Sequence, residues 1–564
     1  MGDPYTEDIE SGVRTEEARL LARTENSFHG HNPKDRDHAG REAVNAKPYN
    51  SGGDGVGVYV CCLCCFRPRT SRKTFFPEPR IVTDGLFAIL WVLIFLSGVG
   101  LFVYDTAHRP RGDISKNVKT STSFLTGKQR ERGFALISTA LLTCAVCLSI
   151  AFLNLRYATR GFVQFSGLSC LAFLVLVSAM SSNPWMIIFI ALMLYFMYLF
   201  RAKLPLSIEV IRVSMEAVWA HKTVLVLPIF SMVVHTAWMI LCFLLFSRLL
   251  SFKWHLKEAK TGQFFSCLFL LFFYWVWTAE LIRYVVDYVT SSVVASWVCF
   301  DTHVPGRREK IVDAKHAFQA KSPTASAFKF AFFHNLGTLA LASLIIAAIE
   351  TLKFAMEVFC KDKDGRDTCA SCLIRWLLSC IRDQLEYMNK YVVTYCAIFN
   401  STFCQGTGEF QHCKFIVCIG FTKLFFLTLF HFCTAVMQNS GSGFTAFFQD
   451  EVTGIIIIGA SVTVGVFTSI MTTSVAVLFL GVVKFATVAA IAFVFGLVIA
   501  FAALGVVKSA VTALFICLIA PETSPTFEEN HPEVYAKLSS KFKAGNDATR
   551  EVFSWLPPCV CICF

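Results

Sequence analysis

Long stretches without charged residues recur along most of the chain and limit the folds that are open to it. Ten of them can be delimited, at 85–104, 133–155, 161–183, 184–200, 223–247, 261–279, 331–349, 415–437, 452–483 and 485–507. Most approach or exceed the roughly 20 residues that an α-helix needs to cross the hydrocarbon core of a membrane. A soluble fold of 564 residues could not bury the apolar surface of a chain that is 55% hydrophobic and contains 56 phenylalanines. We therefore predict an all-α polytopic membrane protein with about ten transmembrane helices.

The composition changes at both ends of this series of apolar stretches. Residues 1–79 combine charged residues, Gly and Asn with few aliphatics, so we expect a disordered N-terminal tail. Residues 80–520 contain the predicted transmembrane domain, and residues 521–564 are expected to form a C-terminal tail. An even number of crossings places both tails on one side of the membrane. Cysteines beside basic residues favour the cytosolic side, because such thiols suit acylation there.

Two groups of cysteines lie next to the predicted membrane domain. One precedes the first apolar stretch, and the other lies in the last residues, PPCVCICF, where the final four match a prenylation box. The lipidation candidates are Cys61, Cys62, Cys64, Cys65, Cys559, Cys561 and Cys563. The simpler alternative is an apolar segment that lies on the bilayer without modification. Most other cysteines occur singly in apolar stretches, where they pack as small apolar residues, and we predict neither a metal site nor a cofactor.

One apolar stretch carries charges that a helix facing lipid would not tolerate. The segment from Trp277 to Phe300, WTAELIRYVVDYVTSSVVASWVCF, contains Glu280, Arg283 and Asp287 on one helical face. A charged side chain at the centre of the bilayer costs about 2.5–3.5 kcal/mol even on the lenient insertion scale. We therefore expect this stripe to pack against protein or against a water-filled path.

Aromatic residues accompany the charged stripe and suggest what such a path accepts. A quaternary ammonium has no N–H to donate, so aromatic faces and a carboxylate are its expected partners. The predicted substrate path consists of Trp277, Glu280, Arg283, Tyr284, Asp287, Tyr288, Trp297, His334 and Asn335. The alternative is that the rings only pack against neighbouring helices and that Arg283 neutralises the acids as structural glue.

Five segments in the same order resemble the choline transporter-like protein family. They are RIVTDGLFAIL from Arg80, RAKLPLSIEVIRVSMEAV from Arg201, FHNLGTLALASLI from Phe333, MNKYVVTYCAIFNSTFC from Met388, and VVKSAVTALFICLIAPE followed by HPEVYAK. The resemblance extends from about Arg80 to Lys537, and it is closest to fungal and protozoan members. It implies an additional amphipathic helix at the membrane interface, formed by the segment that begins at Arg201.

The resemblance also implies a function, a location and a set of partners. It points to a plasma-membrane solute carrier for choline or a similar small quaternary or primary amine cation. Uptake would be facilitated and independent of sodium, or coupled to proton exchange with Glu280 or Asp287 as the proton-binding residue. The other expected partners are membrane lipids, and nothing in the net charge of +11 calls for a nucleic acid. A membrane-organising protein without transport, anchored by its helices and acylated cysteines, is the alternative.

An enzyme is not expected. The chain matches part of a lipid-headgroup transferase pattern with Asp84, Gly85, Ala88 and Gly98, but Phe102 and Thr106 stand where its metal-binding carboxylates are needed.

Two questions stay open at this point. Either the amphipathic segment 371–404 or the run 415–437 crosses the membrane, and the number of crossings depends on which one does. Asn400 begins the triplet Asn-Ser-Thr and is a glycosylation candidate if it faces the exterior.

Overall fold

The computed structural model describes residues 84–108, 127–181, 190–191, 194, 204–255, 261–300, 322–359, 369–404, 406–407, 441–478, 485–520 and 523–554. Within these ranges the chain is helical apart from turns, and no strand occurs. The α-helices are α1 (Gly85–His108), α2 (Gly127–Tyr157), α3 (Thr159–Ser181), α4 (Leu204–Ala220), α5 (Leu227–His255), α6 (Thr261–Phe300), α7 (Pro323–Phe333), α8 (Leu336–Phe359), α9 (Cys369–Phe399), α10 (Gly441–Leu478), α11 (Phe485–Ile519), α12 (Ser524–Asn530) and α13 (Pro532–Ser554). A 3₁₀-helix, Lys222–Val226, precedes α5. The helical character predicted from the sequence is confirmed for this part of the chain.

Six segments in the described part of the chain are long and apolar enough to cross a membrane. They are Ala135–Tyr157, Lys222–Ser247, Phe264–Cys299, Leu336–Val358, Val452–Leu478 and Phe485–Ile519. Shorter apolar helices occupy Gly85–Gly100 and Thr159–Val175. The run 415–437 lies outside the described residues, and almost all of the run 184–200 does too. The count of about ten crossings therefore stays a prediction.

Helix α6 is central to the bundle and longer than the apolar run at its start suggests. The run was delimited at residue 279, whereas the helix continues to Phe300 and contains 40 residues. At about 1.5 Å per residue this is about 60 Å, twice the thickness of the hydrocarbon core. Every side chain from Tyr288 to Cys299 is buried, and α6 packs against α5, α7, α8, α9 and α11. A helix that is buried on all sides can carry polar groups only where its neighbours provide partners.

Helices α10 and α11 pack closely on each other, and α10 also packs on α2 and α3. Glycine makes the tightest approach possible, because a Cβ on Gly459 of α10 would lie 1.9 Å from the carbonyl oxygen of Ser166 of α3. On α11, a Cβ on Gly496 would lie 2.8 Å from Cβ of Thr468. These contacts are the small-residue type by which membrane helices associate without a hydrophobic driving force.

The amphipathic segment that follows Arg201 forms α4, in which ten of 17 residues are buried. It packs against α11 and α13. Its position at the membrane interface, which the family resemblance implies, stays a prediction.

The C-terminal cap, formed by α12 and α13, covers the end of α6. Asn530 Nδ2 donates to the carbonyl oxygen of Cys299 at 2.6 Å. His531 Nε2 lies 3.1 Å from the carbonyl oxygen of Trp297, and its ring stacks on that tryptophan with centroids 4.3 Å apart. These bonds satisfy carbonyl groups that the last turn of a helix leaves without partners.

An ionic contact ties the C-terminal cap to α4. Glu209, whose side chain is 7% exposed, accepts Lys537 Nζ and Lys541 Nζ at 3.1 Å each, and Arg212 lies 2.6 Å away. Burial raises the pKa of Glu209, but the hydrogen bonds from both lysines and the charge of Arg212 outweigh it, so the pKa lies below its ordinary value. The cap is therefore held at neutral pH by an ionised carboxylate.

Candidate functional site

The charged stripe of α6 meets an opposing set of charges on α8 and α9. Arg283 Nη2 lies 2.8 Å from Glu280, and Arg283 Nη1 pairs with Glu386 of α9. Arg382 of α9 lies 2.5 Å from Glu350 of α8 and 3.5 Å from Glu386. We call this run of alternating charges the charged ladder; it consists of Glu280, Arg283, Glu386, Arg382 and Glu350. The stripe is packed against protein, as the sequence predicts.

A neighbouring lysine makes the charged ladder electrically balanced. The five ladder residues are three acids and two bases, and Lys353, 3.6 Å from Glu350, is the third base. Removing one partner from a fully buried ion pair typically costs about 3–5 kcal/mol, and the ladder side chains, which are 17–39% exposed, should lose less than this. The ladder therefore holds α6, α8 and α9 together and already neutralises Glu280.

Asp287 is placed differently from Glu280. The hydroxyl of Ser509 on α11 donates to Asp287 Oδ1. Ser509 is 2% exposed, so this bond is made inside the bundle. The hydrogen-bond partner of Asp287 is therefore a neutral hydroxyl and not a cation.

Nearer the C-terminal end of α6, a second set of polar residues joins four segments of chain. Asn335 Nδ2 donates to Tyr288 Oη at 2.8 Å and to Asn400 Oδ1 at 3.0 Å. Asp84 Oδ2 accepts the hydroxyl of Thr338 at 2.8 Å and the backbone N–H of Phe403 at 3.0 Å. We call the set Asp84, Tyr288, Asn335, Thr338 and Asn400 the polar junction.

Helices begin or break at the polar junction. Helix α7 ends at Phe333 and α8 begins at Leu336, and the N–H groups of His334 and Asn335 both donate to the carbonyl of Phe330. Asp84, just before α1, and Asn400, just after α9, have positive φ angles of 51° and 47°. Aspartate and asparagine tolerate this left-handed conformation better than most residues, and such positions cluster at sites where the surroundings impose the backbone. Interrupted helices inside a membrane bundle are typical of ligand sites in transporters.

The remaining predicted path residues occupy several distinct positions. Trp277 Nε1 donates to the carbonyl of Ala340 on α8 at 3.0 Å. The guanidinium of Arg283 lies 5.0 Å from the ring centroid of Tyr284. His334 stacks on Phe330 at 4.8 Å, at the break between α7 and α8. Trp297 lies apart from the others, against His531 of the C-terminal cap. Their role in a substrate path stays a prediction.

Several residues of this region were not selected from the sequence. They are Asp84, Thr338, Glu350, Arg382, Glu386 and Asn389. Arg382 and Glu386 are recognisable as charges on an amphipathic segment, but Glu386 pairs with Arg283, 103 positions earlier on α6, and Arg382 pairs with Glu350 on α8. Asn389 could have been recognised from the sequence, because it is a polar residue next to the nearly uncharged run that begins after Lys390.

The other predicted sites are only partly covered by the described residues. All seven lipidation candidates lie outside them. Asn400 is within them and accepts a bond from the buried Asn335, and its glycosylation stays a prediction. In the parts of the chain that the structure describes, no group of three or more His, Cys, Asp or Glu is arranged to hold a metal ion.

The fold and the paired polar groups together define a polytopic α-helical membrane protein whose charged ladder joins α6, α8 and α9. The sequence profile described as plasma-membrane choline transporter matches residues 185–522, which is more than half of the chain. The chain therefore belongs to this family of membrane transporters.

Individual relatives are distant. A CTL-like protein of Dictyostelium discoideum is 26% identical over 157 residues, which is 27% of this chain and 26% of the relative. The protein PNS1 of Kluyveromyces lactis is 20% identical over 289 residues, 48% of this chain and 45% of the relative. The protein PNS1 of Yarrowia lipolytica is 22% identical over 382 residues, 60% of this chain and 62% of the relative. The chain thus spans less than two thirds of the length of these curated relatives.

Proposed function

We propose that this protein transports choline or a similar small amine cation across the plasma membrane, along the face of α6 that meets α8, α9 and α11. The family assignment supports the class of activity. The observation that supports a cationic substrate is the position of Asp287. This carboxylate lies within a candidate membrane span, and its hydrogen-bond partner is a neutral hydroxyl. Membrane lipids are the other proposed partners, and both termini are proposed to face the cytosol.

The distribution of charge favours Asp287 over Glu280 as the residue that attracts the cation. Glu280 shares Arg283 with Glu386 in a balanced ladder, so an incoming ammonium would have to displace a guanidinium. The charge of Arg283 also acts on Asp287, but the hydrogen-bond partner of Asp287 is the Ser509 hydroxyl. Aromatic side chains on the same helix support the proposal, because Trp277 and Tyr288 are 1% and 2% exposed and each ring face attracts an ammonium by about 0.5–2 kcal/mol.

The two polar sets on either side of Tyr284 are suited to act as alternating barriers. The charged ladder includes the turn of α6 before Tyr284, and the polar junction includes Tyr288 in the turn after it. Opening one set while the other stays closed would expose the path to one side of the membrane at a time, which is the essence of alternating access. The ladder is the stronger candidate for a barrier that excludes ions, since it contains five charged side chains.

Facilitated uptake of a cation needs no second ion. A monovalent cation moving inward gains about 2.3 kcal/mol per 100 mV of membrane potential. This corresponds to an accumulation of about fiftyfold, because a tenfold ratio costs about 1.4 kcal/mol. We therefore propose sodium-independent uptake, with proton exchange at Asp287 as the coupled variant.

The test is uptake of labelled choline in cells that lack their own carrier, with and without expression of this chain. Replacing Asp287 by Asn keeps the size of the side chain and an oxygen for the Ser509 hydroxyl but removes the charge. Uptake at low choline should fall more than tenfold. The matched control is Asp383→Asn on α9, which removes an exposed carboxylate and should leave uptake unchanged.

Replacement of sodium and collapse of the membrane potential complete the experiment. Uptake should survive sodium removal and decline when the potential is collapsed. No uptake above background in cells that express the protein at their surface would refute the transport proposal and favour the membrane-organising alternative.

A further inference from the structure

Two cysteines from different helices meet beneath the C-terminal cap. Cys299 is the residue before the last of α6, and Cys517 lies two residues before the end of α11. Both are free cysteines, their side chains hydrogen-bond each other, and the two residues are 2% and 0% exposed. A cysteine that only packs as a small apolar residue needs no such partner. The direct contact of two thiols across a helix interface therefore sets this pair apart from the cysteines that occur singly.

The C-terminal cap binds the backbone of both cysteines. Asn530 Nδ2 donates to the carbonyl oxygen of Cys299 at 2.6 Å, and Thr523 Oγ1 donates to the carbonyl oxygen of Cys517 at 2.8 Å. Thr523 directly precedes α12 and Asn530 is the last residue of that helix, and both side chains are buried. Helix α12 thus closes over the thiol pair, and a reagent reaches the pair only when the cap is displaced.

The thiol pair joins the same two helices that meet at Asp287. Cys299 is 12 residues after Asp287 on α6, and Cys517 is eight residues after Ser509 on α11. The two helices therefore run in the same direction from the Asp287–Ser509 contact to the thiol pair, over about 12–18 Å at 1.5 Å per residue. A covalent bond between the thiols would fix the separation of α6 and α11 at this end.

The surroundings of the cap determine the state in which the pair is normally kept. Because the C-terminal tail is proposed to face the cytosol, the cap lies on the side where glutathione and thioredoxin keep thiols reduced. Oxidation there is an event and not the resting condition. We propose that Cys299 and Cys517 form a modification site at which a hydroperoxide generates a disulfide between α6 and α11, with the C-terminal cap controlling access.

The chemistry requires no group other than the two thiols and the peroxide. The sulfur of one cysteine attacks hydrogen peroxide and breaks the O–O bond, which gives a sulfenic acid and one water. The second thiol displaces the sulfenic hydroxyl as a second water and forms the S–S bond. The two thiols lose two electrons and two protons, and the peroxide is reduced to two waters. Exchange with a thiol reductant restores the dithiol.

The first experiment detects the disulfide itself and does not depend on transport. A site for a specific protease is inserted between residues 302 and 320, so that cleavage separates α6 from α11. After treatment with hydrogen peroxide, the two fragments of the wild-type protein should stay joined in non-reducing electrophoresis and separate after addition of dithiothreitol. Cys299→Ser and Cys517→Ser should each give separate fragments throughout. Cys242→Ser, which changes another buried cysteine, on α5, is the matched control and should behave as the wild type does.

The second experiment tests the control by the cap. Glu209→Gln weakens the ionic contact between α4 and α13, so the fragments should become joined at least about threefold faster than in the wild type. Glu216→Gln on α4 changes an exposed carboxylate and should leave the rate unchanged. Equal rates for Glu209→Gln and the wild type would refute the control of access by the cap.

The third experiment measures the consequence for uptake, and this part alone rests on the proposed transport function. If α6 and α11 separate during transport, peroxide should lower labelled-choline uptake at least about fivefold, and dithiothreitol should restore it. Cys299→Ser and Cys517→Ser should be insensitive to peroxide.

The outcomes distinguish the modification site from the transport proposal. Fragments that separate in the peroxide-treated wild type and in treated Glu209→Gln refute the site, and this comparison holds even if the serine variants fold poorly. Fragments that stay joined in Cys299→Ser would assign the disulfide to other cysteines. Uptake that persists after complete joining would refute the effect on transport. Absence of any choline uptake would refute the transport proposal and leave the disulfide measurable.

Discussion

The close contact between α3 and α10 provides a direct test of the fold, through the substitution Gly459→Ala. The Cβ added to α10 would lie 1.9 Å from the carbonyl oxygen of Ser166 on α3. A carbon normally keeps at least about 3.3 Å from a carbonyl oxygen, so the helices must separate by about 1.4 Å. Neither atom is the flexible end of a side chain, and the backbone itself has to move.

The expected size of the effect follows from two opposing contributions. Overpacking typically costs about 1–3 kcal/mol, and an immovable backbone obstacle places this site at the upper end. Alanine gains up to about 1 kcal/mol over glycine from helix propensity, which leaves a net loss of about 2 kcal/mol. Gly454, five residues earlier on α10, has no described heavy atom within 4 Å of an added Cβ. Gly454→Ala should therefore be neutral or stabilise by up to about 1 kcal/mol.

The assay is the temperature at which the purified protein aggregates in detergent, followed by size-exclusion chromatography of heated samples. Gly459→Ala should lower that temperature, and Gly454→Ala should maintain or raise it. Equal midpoints for wild type and Gly459→Ala would show that α3 and α10 are not in the contact described.

Two further predictions concern charges. Arg283→Ala should reduce folded protein at the surface more than the triple change of Glu280 to Gln, Arg283 to Leu and Glu386 to Gln, because the single change leaves Glu280 without its ion-pair partner and Glu386 with Arg382 alone; quantitative surface labelling measures this, and equal loss in both would contradict the ladder. Glu209→Gln should make α13 more sensitive to limited trypsin digestion, with Glu216→Gln as the exposed control. Since the pKa of Glu209 is lowered in the folded state, the ion pairs between Glu209 and the lysines of α13 are complete at neutral pH in the wild-type protein. They are lost only as the pH falls below about 4.5 and through that lowered pKa. Cleavage rates that do not rise under acidic conditions, measured with an acid-active protease, would contradict this.

The helical spans were predictable because hydrophobicity alone determines which segments can enter the hydrocarbon core. The runs at 133–155, 223–247 and 452–483 each coincide closely with a membrane-length helix of the structure. The sequence also predicts correctly that Glu280, Arg283 and Asp287 need protein around them. Their cost in lipid is a local property, readable without knowing the partners.

The identity of those partners could not be predicted, since it depends on which helices are neighbours. Arg283 meets Glu386 and Asp287 meets Ser509, pairs separated by 103 and 222 positions. The sequence predicts a helix as far as Phe300 although the uncharged run ends at residue 279. Pairing with α9 and α11 allows the helix to continue through the charged residues. The polar junction depends on backbone conformation at Asp84 and Asn400, which composition does not reveal.

The uninterrupted course of α6 has a mechanical consequence. A single continuous helix of about 60 Å contributes to both the charged ladder and the polar junction, and its last carbonyl groups are hydrogen-bonded to Asn530 and His531. Any rotation or tilt of this helix in the membrane interior must therefore be transmitted to the C-terminal cap. A fluorescent probe on α13 would then report the working cycle from the aqueous side, where it is easiest to observe.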